Sequence, residues 1–364
     1  MCCGQHVKGF VIPGKTASSE SMPYNIATMR RIPRALLRAM EILLVLGGVC
    51  TLLALAQLWR RVRRVPRDRR ALALGRGLAS LCGLLGATFV KAAQYLTTRP
   101  DLVPPEIIRG LERVQDRVDP FPYPAVWRAL ARGLGGTPED LFRQLDPYPV
   151  ASASVAQVHR GVLADGREVA VKVLRPGVRR QVELDLLLMR PLARALSWIP
   201  PLRLLCPVQV LGEFSNALAQ QLDLRIEARN NRAFARHFHG DPQVGVPDLV
   251  PELCSERVLC MAFIKGERIS GLRPSPQQGE VIARQGFGAL LRMIFINGLV
   301  HADLHPGNLM VQDGRLILLD MGLVCEVPPA RRAQLMSLII SWLGGDPGAV
   351  CAAALALLGP DEGA

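Results

Sequence analysis

His301-Ala-Asp-Leu-His-Pro-Gly-Asn308 is followed twelve residues later by Asp320-Met-Gly322. An aspartate and an asparagine five positions apart, then a second aspartate ahead of a glycine, form a spacing suited to phosphoryl transfer. In such a site the first Asp orients or deprotonates the attacking hydroxyl. The Asn holds one Mg2+, and the Asp before Gly holds the metal that bridges the ATP phosphates. Asp303, Asn308 and Asp320 can fill those roles in that order. Arg315 to Asp320 reads as a short apolar strand behind an Asp313-Gly314 turn, which would deliver the last carboxylate at its end.

The upstream half of a nucleotide site is present as well. Val169-Ala-Val-Lys-Val173 places a lysine in an apolar strand behind the turn Asp165-Gly166. Only five of the 44 basic residues are lysine, so Lys172 reads as a compact ammonium chosen for the α- and β-phosphates, against the plainer reading of a strand-edge lysine reaching for solvent. Ahead of it lies Ala151-Ser-Ala-Ser-Val-Ala-Gln-Val-His159. The small residues Ala151, Ser152, Ala153, Ser154, Val155 and Ala156 let backbone N–H groups approach phosphate oxygens, and the two serines add hydroxyl donors. Alanine resists the positive φ that glycine allows, so this loop is expected to be stiffer than a glycine-rich one.

Taken in order, these motifs resemble the UbiB family of atypical kinases, also called the aarF-domain kinases. A further motif, the family's KxGQ helix, is matched by Phe89-Val-Lys-Ala-Ala-Gln-Tyr-Leu-Thr-Thr-Arg-Pro-Asp-Leu-Val-Pro104, with Ala93 at the glycine position and Leu304 replacing proline in the later loop. The resemblance covers about residues 72 to 358. It implies an α+β, two-lobed protein-kinase-like fold with an N-terminal helical extension, using ATP and Mg2+. It makes Asp303 and Lys172 catalytic and Asn308 and Asp320 metal ligands. Glu227, in Gln221-Leu-Asp-Leu-Arg-Ile-Glu-Ala-Arg-Asn230, becomes the helix partner of Lys172. Met261 and Phe263 fall at the adenine hinge, where Ala262 offers only backbone groups. It also implies a regulatory set, Lys91, Gln94 and Asp223. Lys91 would reach from the KxGQ helix to close the site against bulky substrates, with Asp223 as its partner because Gln221 is neutral; a solvated helix lysine is the competing reading.

The formal charge of +13 is concentrated at one place. Between Arg30 and Arg70 there are eleven arginines against Glu41 and Asp68, a local +9. They flank the apolar run Ile42 to Trp59, and a membrane span explains both features, a buried or interfacial helix being the alternative. Seven arginines follow the run and four precede it, so the kinase-like body is expected on the cytoplasmic side, at a bacterial inner membrane or a mitochondrial inner membrane. The same arginines suit an anionic membrane surface. With 5% aromatics and no Tyr or Phe interleaved with the basic stretch, the sequence argues against a single-strand nucleic-acid groove. Nine cysteines without a C-x-x-C pair, Cys2 and Cys3 among them, read as free thiols. The pair His301 and His305 lacks the H-E-x-x-H register, and Pro306-Gly307 would break the required helix, which excludes a metallohydrolase.

Residues 1–41 are expected as a basic segment, 42–59 as the span, 72–145 as the KxGQ-type extension, 146–265 as the N-lobe and 266–364 as a C-lobe. The 42 residues after Gly322 make that C-lobe short, whether the chain is a short member or truncated. Periodicity predicts helices over 71–98, 104–134, 180–197, 206–238, 274–298 and 328–358, and strands over 155–163, 167–175 and 246–263, with a loop at Pro200-Pro201. Two functions fit. One is a membrane-associated kinase or ATPase supporting ubiquinone or other isoprenoid-lipid biosynthesis, alongside quinone-biosynthesis proteins. The other is a nucleotide-binding scaffold that organises such a complex.

Overall fold

Gly86 divides what periodicity reads as one helix over 71–98. The computed structural model describes residues 32–112 and 119–359, so Cys2, Cys3, Arg30 and Arg31 lie outside the described residues. Helix α1 (Ile32–Val62) comes first, then α2 (Arg67–Leu85), α3 (Ala87–Thr97) and α4 (Pro105–Leu111). Gly86 closes α2 with its N–H on Cys82 O and a φ of +96°, a backbone that a side chain resists, and α3 restarts from it.

Helix α5 (Tyr123–Leu134) and the single turn α6 (Pro138–Leu141) lead into β1 (Phe142–Leu145), β2 (Ala151–Ser152), β3 (Ala156–Leu163) and β4 (Glu168–Leu174). Helices α7 (Val178–Leu196), α8 (Pro200–Arg203), α9 (Pro207–Gln221) and α10 (Leu224–His237) follow, then β5 (Val244–Gly245) and β6 (Val258–Ala262). The first sheet runs β1-β3-β4-β6, with β2 also on β3, and every pairing is antiparallel. Alternation sorts its side chains onto two faces. Val169, Val171 and Val173 pack with Val126 and Leu130 of α5, whereas Leu174 and Leu259 pack with α7, α9 and α10. β1 therefore joins the sheet from before the boundary expected at 146.

The second lobe contains β7 (Glu267–Arg268), α11 (Pro276–Leu291), a π-helical turn at Arg292–Asn297, β8 (Leu299–His301), β9 (Leu309–Gln312), β10 (Arg315–Leu318) and β11 (Val324–Glu326). Helices α12 (Pro329–Leu343) and α13 (Pro347–Leu358) pack on each other at its end. A second sheet has the order β5-β10-β9-β7, and β8 pairs with β11. Leu316, Leu318, Met321, Phe234 and Met293 form this lobe's core.

Several expected elements are corrected. The helix read over 206–238 breaks at Asp223, whose side chain accepts the Arg225 N–H and starts α10 afresh. The strand read over 246–263 is confined to Val258–Ala262, with a single bridge from Leu249 to Met261. Pro200-Pro201, expected as a loop, opens the turn α8, because proline suits the first helical position.

Within α1, Leu36–Val62 is long and apolar enough to cross a membrane, with mean hydropathy 2.2. It does not stand free of the body. Ile42 packs on Leu81 and Leu85, and Gln57 donates to Arg70 O at 3.0 Å, so α1 runs antiparallel along α2. Near its start Arg38 enters the body, where its Nε lies 2.7 Å from Oδ1 of Asp185 on α7. Thr88 of α3 donates to the other oxygen of Asp185, which is fully buried. Leu43, Leu44, Leu52, Leu55 and Trp59 remain exposed along α1.

Candidate functional site

The site assembles where the first sheet meets the second lobe. Strand β4 carries Lys172 on the face turned to α10, and its Nζ lies 2.9 Å from both oxygens of Glu227. The same Nζ lies 3.0 Å from Asp320 Oδ2. Lys172 and Glu227 are largely enclosed, while the Asp320 side chain is 45% exposed. Two carboxylates thus share one ammonium, and the two respond differently. Burial drives Glu227 above the usual carboxylate range, with Lys172 pulling against it and Asp320 adding to it. Desolvation acts on Asp320 in the same direction, but Lys172, Lys91 and the Gly322 N–H overcome it and hold the group at about 2. Burial also disfavours the Lys172 ammonium, and the charges of Asp320 and Glu227 outweigh it to set its pKa above the ordinary lysine value.

A pH signature follows. With its folded pKa raised, ionised Glu227 costs stability, and that cost vanishes below about pH 4, where the carboxyl is protonated folded or unfolded. Denaturant unfolding of wild type and Glu227→Gln across pH 4 to 9, a range set roughly by ordinary carboxyl and lysine pKa values, reads this out. The stability of wild type relative to the variant falls as pH rises through the raised pKa. A gap that stays flat or grows with pH contradicts the burial-driven shift.

Asp320 follows β10 with a φ of +48°, a left-handed backbone, and its Oδ1 accepts the Gly322 N–H at 3.1 Å. A Cβ on Gly322 would meet that Oδ1 at 2.9 Å, so the third position of Asp320-Met-Gly322 has no room for a side chain unless the carboxylate shifts. Met321 is buried in the second-lobe core, and its carbonyl accepts from Asn230 Nδ2 at 2.9 Å. Asn230 stands three residues after Glu227 on α10, so one helix positions both the partner of Lys172 and the Asp320 turn.

The 301–308 loop is tied to the same turn. Buried His301 accepts the Asp303 N–H at Nδ1 and faces Leu319 O with Nε2 at 3.0 Å. A neutral ring carrying its proton on Nε2 satisfies both contacts. Asn308 Nδ2 donates to Asp303 O at 3.1 Å and to Asp303 Oδ2 at 3.3 Å, and the Leu319 N–H donates to Asn308 O at 2.8 Å. Asp303, Asn308 and Asp320 therefore belong to one hydrogen-bonded unit. His301 and Asn230, given no role from the sequence, hold it together; His301 carried a signal, a polar residue directly after the apolar Leu299-Val300 that is buried only when bonded, whereas Asn230 sits among charged residues and carried none.

Above Lys172, Ala151–Ser152 pairs with β3, and the Ala153 N–H closes onto Ala156 O. Arg175 holds the loop from behind, with Nε on Ala153 O at 2.8 Å and Nη2 on Ser152 Oγ at 2.9 Å. Val155 and Ala156 are buried. Ser154 Oγ is buried with no hydrogen-bond partner among the described residues. Met261 pairs with Ala170 across β6 and β4, which puts it on the Lys172 face. Phe263 sits under the Arg160 guanidinium, 5.0 Å from its ring centroid, and its N–H is taken by Glu168 O.

The regulatory set is only partly brought together. The charge of Lys91 on α3 acts on both Glu227 and Asp320. Asp223, expected as its partner, instead caps α10 and is gripped by Arg225 through two nitrogens, the shorter contact being 2.7 Å. Local capping has captured the carboxylate. Gln94 is half-buried on α3, its carbonyl accepting from Thr97 Oγ1. The helix is pinned to α9 by Tyr95 and Arg99, both bonded to Glu213.

A sequence profile of the ABC1 atypical kinase-like domain matches residues 113–354. The chain belongs to the ABC1 atypical kinase-like family. Its ABC1 relatives include the probable protein kinase UbiB of Aeromonas hydrophila, 39% identical over 232 residues that make up 62% of this chain and 42% of that protein. An uncharacterised protein of Synechocystis is 34% identical over 327 residues, 87% of this chain and 56% of its own length. The chain spans about half the length of these curated relatives. The solved complex of Rv3197 with erythromycin from Mycobacterium tuberculosis aligns with a TM-score of 0.51 at 23% identity, covering 90% of this chain and 74% of that one. The resemblance to UbiB and the kinase-like α+β fold expected from the sequence hold.

The donor set of the ABC1 site suits Mg2+ and phosphate, although the Lys172–Asp320 contact would have to open to admit them. Mg2+ takes one or two protein ligands and fills its remaining positions with phosphate oxygens and water, so Asp320 and Asn308 suffice without an all-protein cage. Among the described residues no group of three or more His, Cys, Asp or Glu forms such a cage. The ammonium of Lys172, 3.0 Å from Asp320, would be the donor to phosphate oxygens there.

Proposed function

We propose that the chain binds Mg-ATP between its lobes and acts as a membrane-associated kinase or ATPase in the synthesis or handling of isoprenoid lipids such as ubiquinone. The observation that carries this reading is the convergence of Lys172, Glu227 and Asp320 within 3.0 Å, beside an Asp303–Asn308 pair locked to the same turn. Lys172 binds the α- and β-phosphates, and Glu227 keeps its ammonium aimed there. Asn308 and Asp320 hold Mg2+, which neutralises charge on the phosphates. Asp303 orients the attacking hydroxyl or water and accepts its proton. Met261 and Phe263 flank the adenine. The names of the UbiB relatives support the kinase assignment, and the apolar outer side of α1 supports membrane contact.

Because α1 is packed along α2 and bonded to Asp185, we place it in the membrane interface while docked, its leucines toward lipid; crossing the bilayer requires it to leave these partners. The scaffold reading draws on one observation, the direct Lys172–Asp320 contact, which must open to admit a metal-bound phosphate chain. Calorimetric titration with Mg-ATP analogue separates wild type from Asp320→Asn. Loss of a carboxylate metal ligand weakens binding by at least about 10-fold, the lower end of what even a residue behind the ligand costs. Equal affinity in the two proteins removes Asp320 from the nucleotide site.

A further inference from the structure

A cavity of about 380 Å³ lies away from the cleft, between α5 and the turn joining β4 to α7. Its walls include Arg128 and Arg132 of α5, Arg175 of the turn, Arg179 and Arg180 in the first turn of α7, and Arg257 ahead of β6. Glu256 compensates two of them, lying 2.9 Å from Arg179 and 3.0 Å from Arg257. Among the described residues no carboxylate forms an ion pair with Arg128, Arg132 or Arg180. Arg128 and Arg132 are four apart on one helical face, where like charges repel. Arg179 and Arg180 add positive charge at the end of α7 that already carries the positive pole of the helix. Burial pushes the Arg175 guanidinium below its ordinary pKa. This concentration of cations around one cavity favours an anion there, and several guanidiniums match the geometry of phosphate oxygens.

Arg175 gives the cavity a connection to the nucleotide loop, since it lines the cavity and also bonds Ala153 O and Ser152 Oγ. We propose that this cavity is a second anion site, taking a multiply charged phosphate group, free or carried on a lipid headgroup, whose occupancy is transmitted through Arg175 to residues 151–156. The binding half stands whether or not the cleft turns over ATP.

The test uses the full chain in detergent and the double variant Arg132→Gln/Arg180→Gln, both positions being exposed and outside the cleft machinery. Arg284→Gln, on α11 and paired with Glu280, serves as the charge control. Calorimetry with inorganic pyrophosphate, and flotation with phosphatidylglycerol vesicles, supply the two probes. The expected result is at least about a ten-fold loss of affinity in the double variant for one probe, with the control unchanged, as two charge-assisted contacts disappear. Loss for pyrophosphate assigns a free phosphate, and loss for vesicles alone assigns a headgroup. Neither probe binding, or both binding the double variant as well as wild type, overturns the site. Hydrogen exchange across 151–156 slows when the effective probe binds wild type and not the double variant; unchanged exchange in wild type with the probe bound overturns the coupling to the loop.

Discussion

Asp303→Asn lowers ATP turnover by about 10²- to 10⁴-fold, the usual contribution of a positioned general base, and leaves nucleotide affinity within about two-fold of wild type. The geometry separates the two effects. Asp303 is not among the groups bonded to Lys172, and its backbone is fixed independently of its carboxylate. Its N–H is held by His301, and its carbonyl accepts from the His305 N–H and from Asn308 Nδ2. An amide in place of the carboxylate preserves shape and can still meet Asn308, but it cannot accept a proton. Steady-state hydrolysis, paired with equilibrium binding of a non-hydrolysable analogue, reads the two quantities separately. A variant that hydrolyses ATP at the wild-type rate removes Asp303 from the chemistry. A variant that loses binding as well makes it a nucleotide ligand or a structural post.

Much of the site was legible because its chemistry is written in short local patterns. Asp303 to Asn308 and Asp320 to Gly322 each fit within a few residues, and the lysine strand stood out as a cation in an apolar run. Misreadings arose where a local interaction competed with a long-range expectation. Asp223 was expected to meet Lys91, but an aspartate at a helix start satisfies free backbone N–H groups first, and Arg225 completes the capture. The helix breaks at Gly86 and Asp223 carried their own signals, a glycine and a capping side chain, masked by leucine and alanine periodicity on both sides. Strands β2, β5 and β7 are each two residues long, too short for alternation to register. The Arg38–Asp185 contact was invisible for another reason. Arg38 counted toward the basic flank of an apolar run, and 147 positions separate it from Asp185, which no local pattern marked.

Asp185→Ala destabilises the protein by about 3–5 kcal/mol, the expected cost of removing one partner from a buried ion pair. The Asp185 side chain is fully enclosed and receives Arg38 Nε at 2.7 Å, Arg38 Nη2 at 3.3 Å and the Thr88 hydroxyl. Without it, Arg38 keeps the Leu85 carbonyl inside the body and the exposed Glu41 outside, so the half of its guanidinium buried at the junction of α1, α3 and α7 loses its carboxylate. Thr88→Val, which removes one hydrogen bond to a charged group, costs roughly 1.5–3 kcal/mol on the same scale. Replacing both charges, as in Arg38→Met with Asp185→Leu, recovers most of the loss, because an apolar pair of similar volume avoids the desolvation of two ions. Denaturant unfolding in detergent ranks the three proteins, and limited proteolysis across residues 60–70 reports whether α1 has left α2. Thr88 shares α3 with Lys91, whose charge reaches Glu227 and Asp320, so release of α1 is expected to loosen the helix that faces the nucleotide. Unaltered stability in Asp185→Ala, or a double replacement no better than the single one, removes the ion pair from that linkage and leaves α1 held by the packing of Ile42, Val45, Leu46 and Val49 and by the Gln57 hydrogen bond.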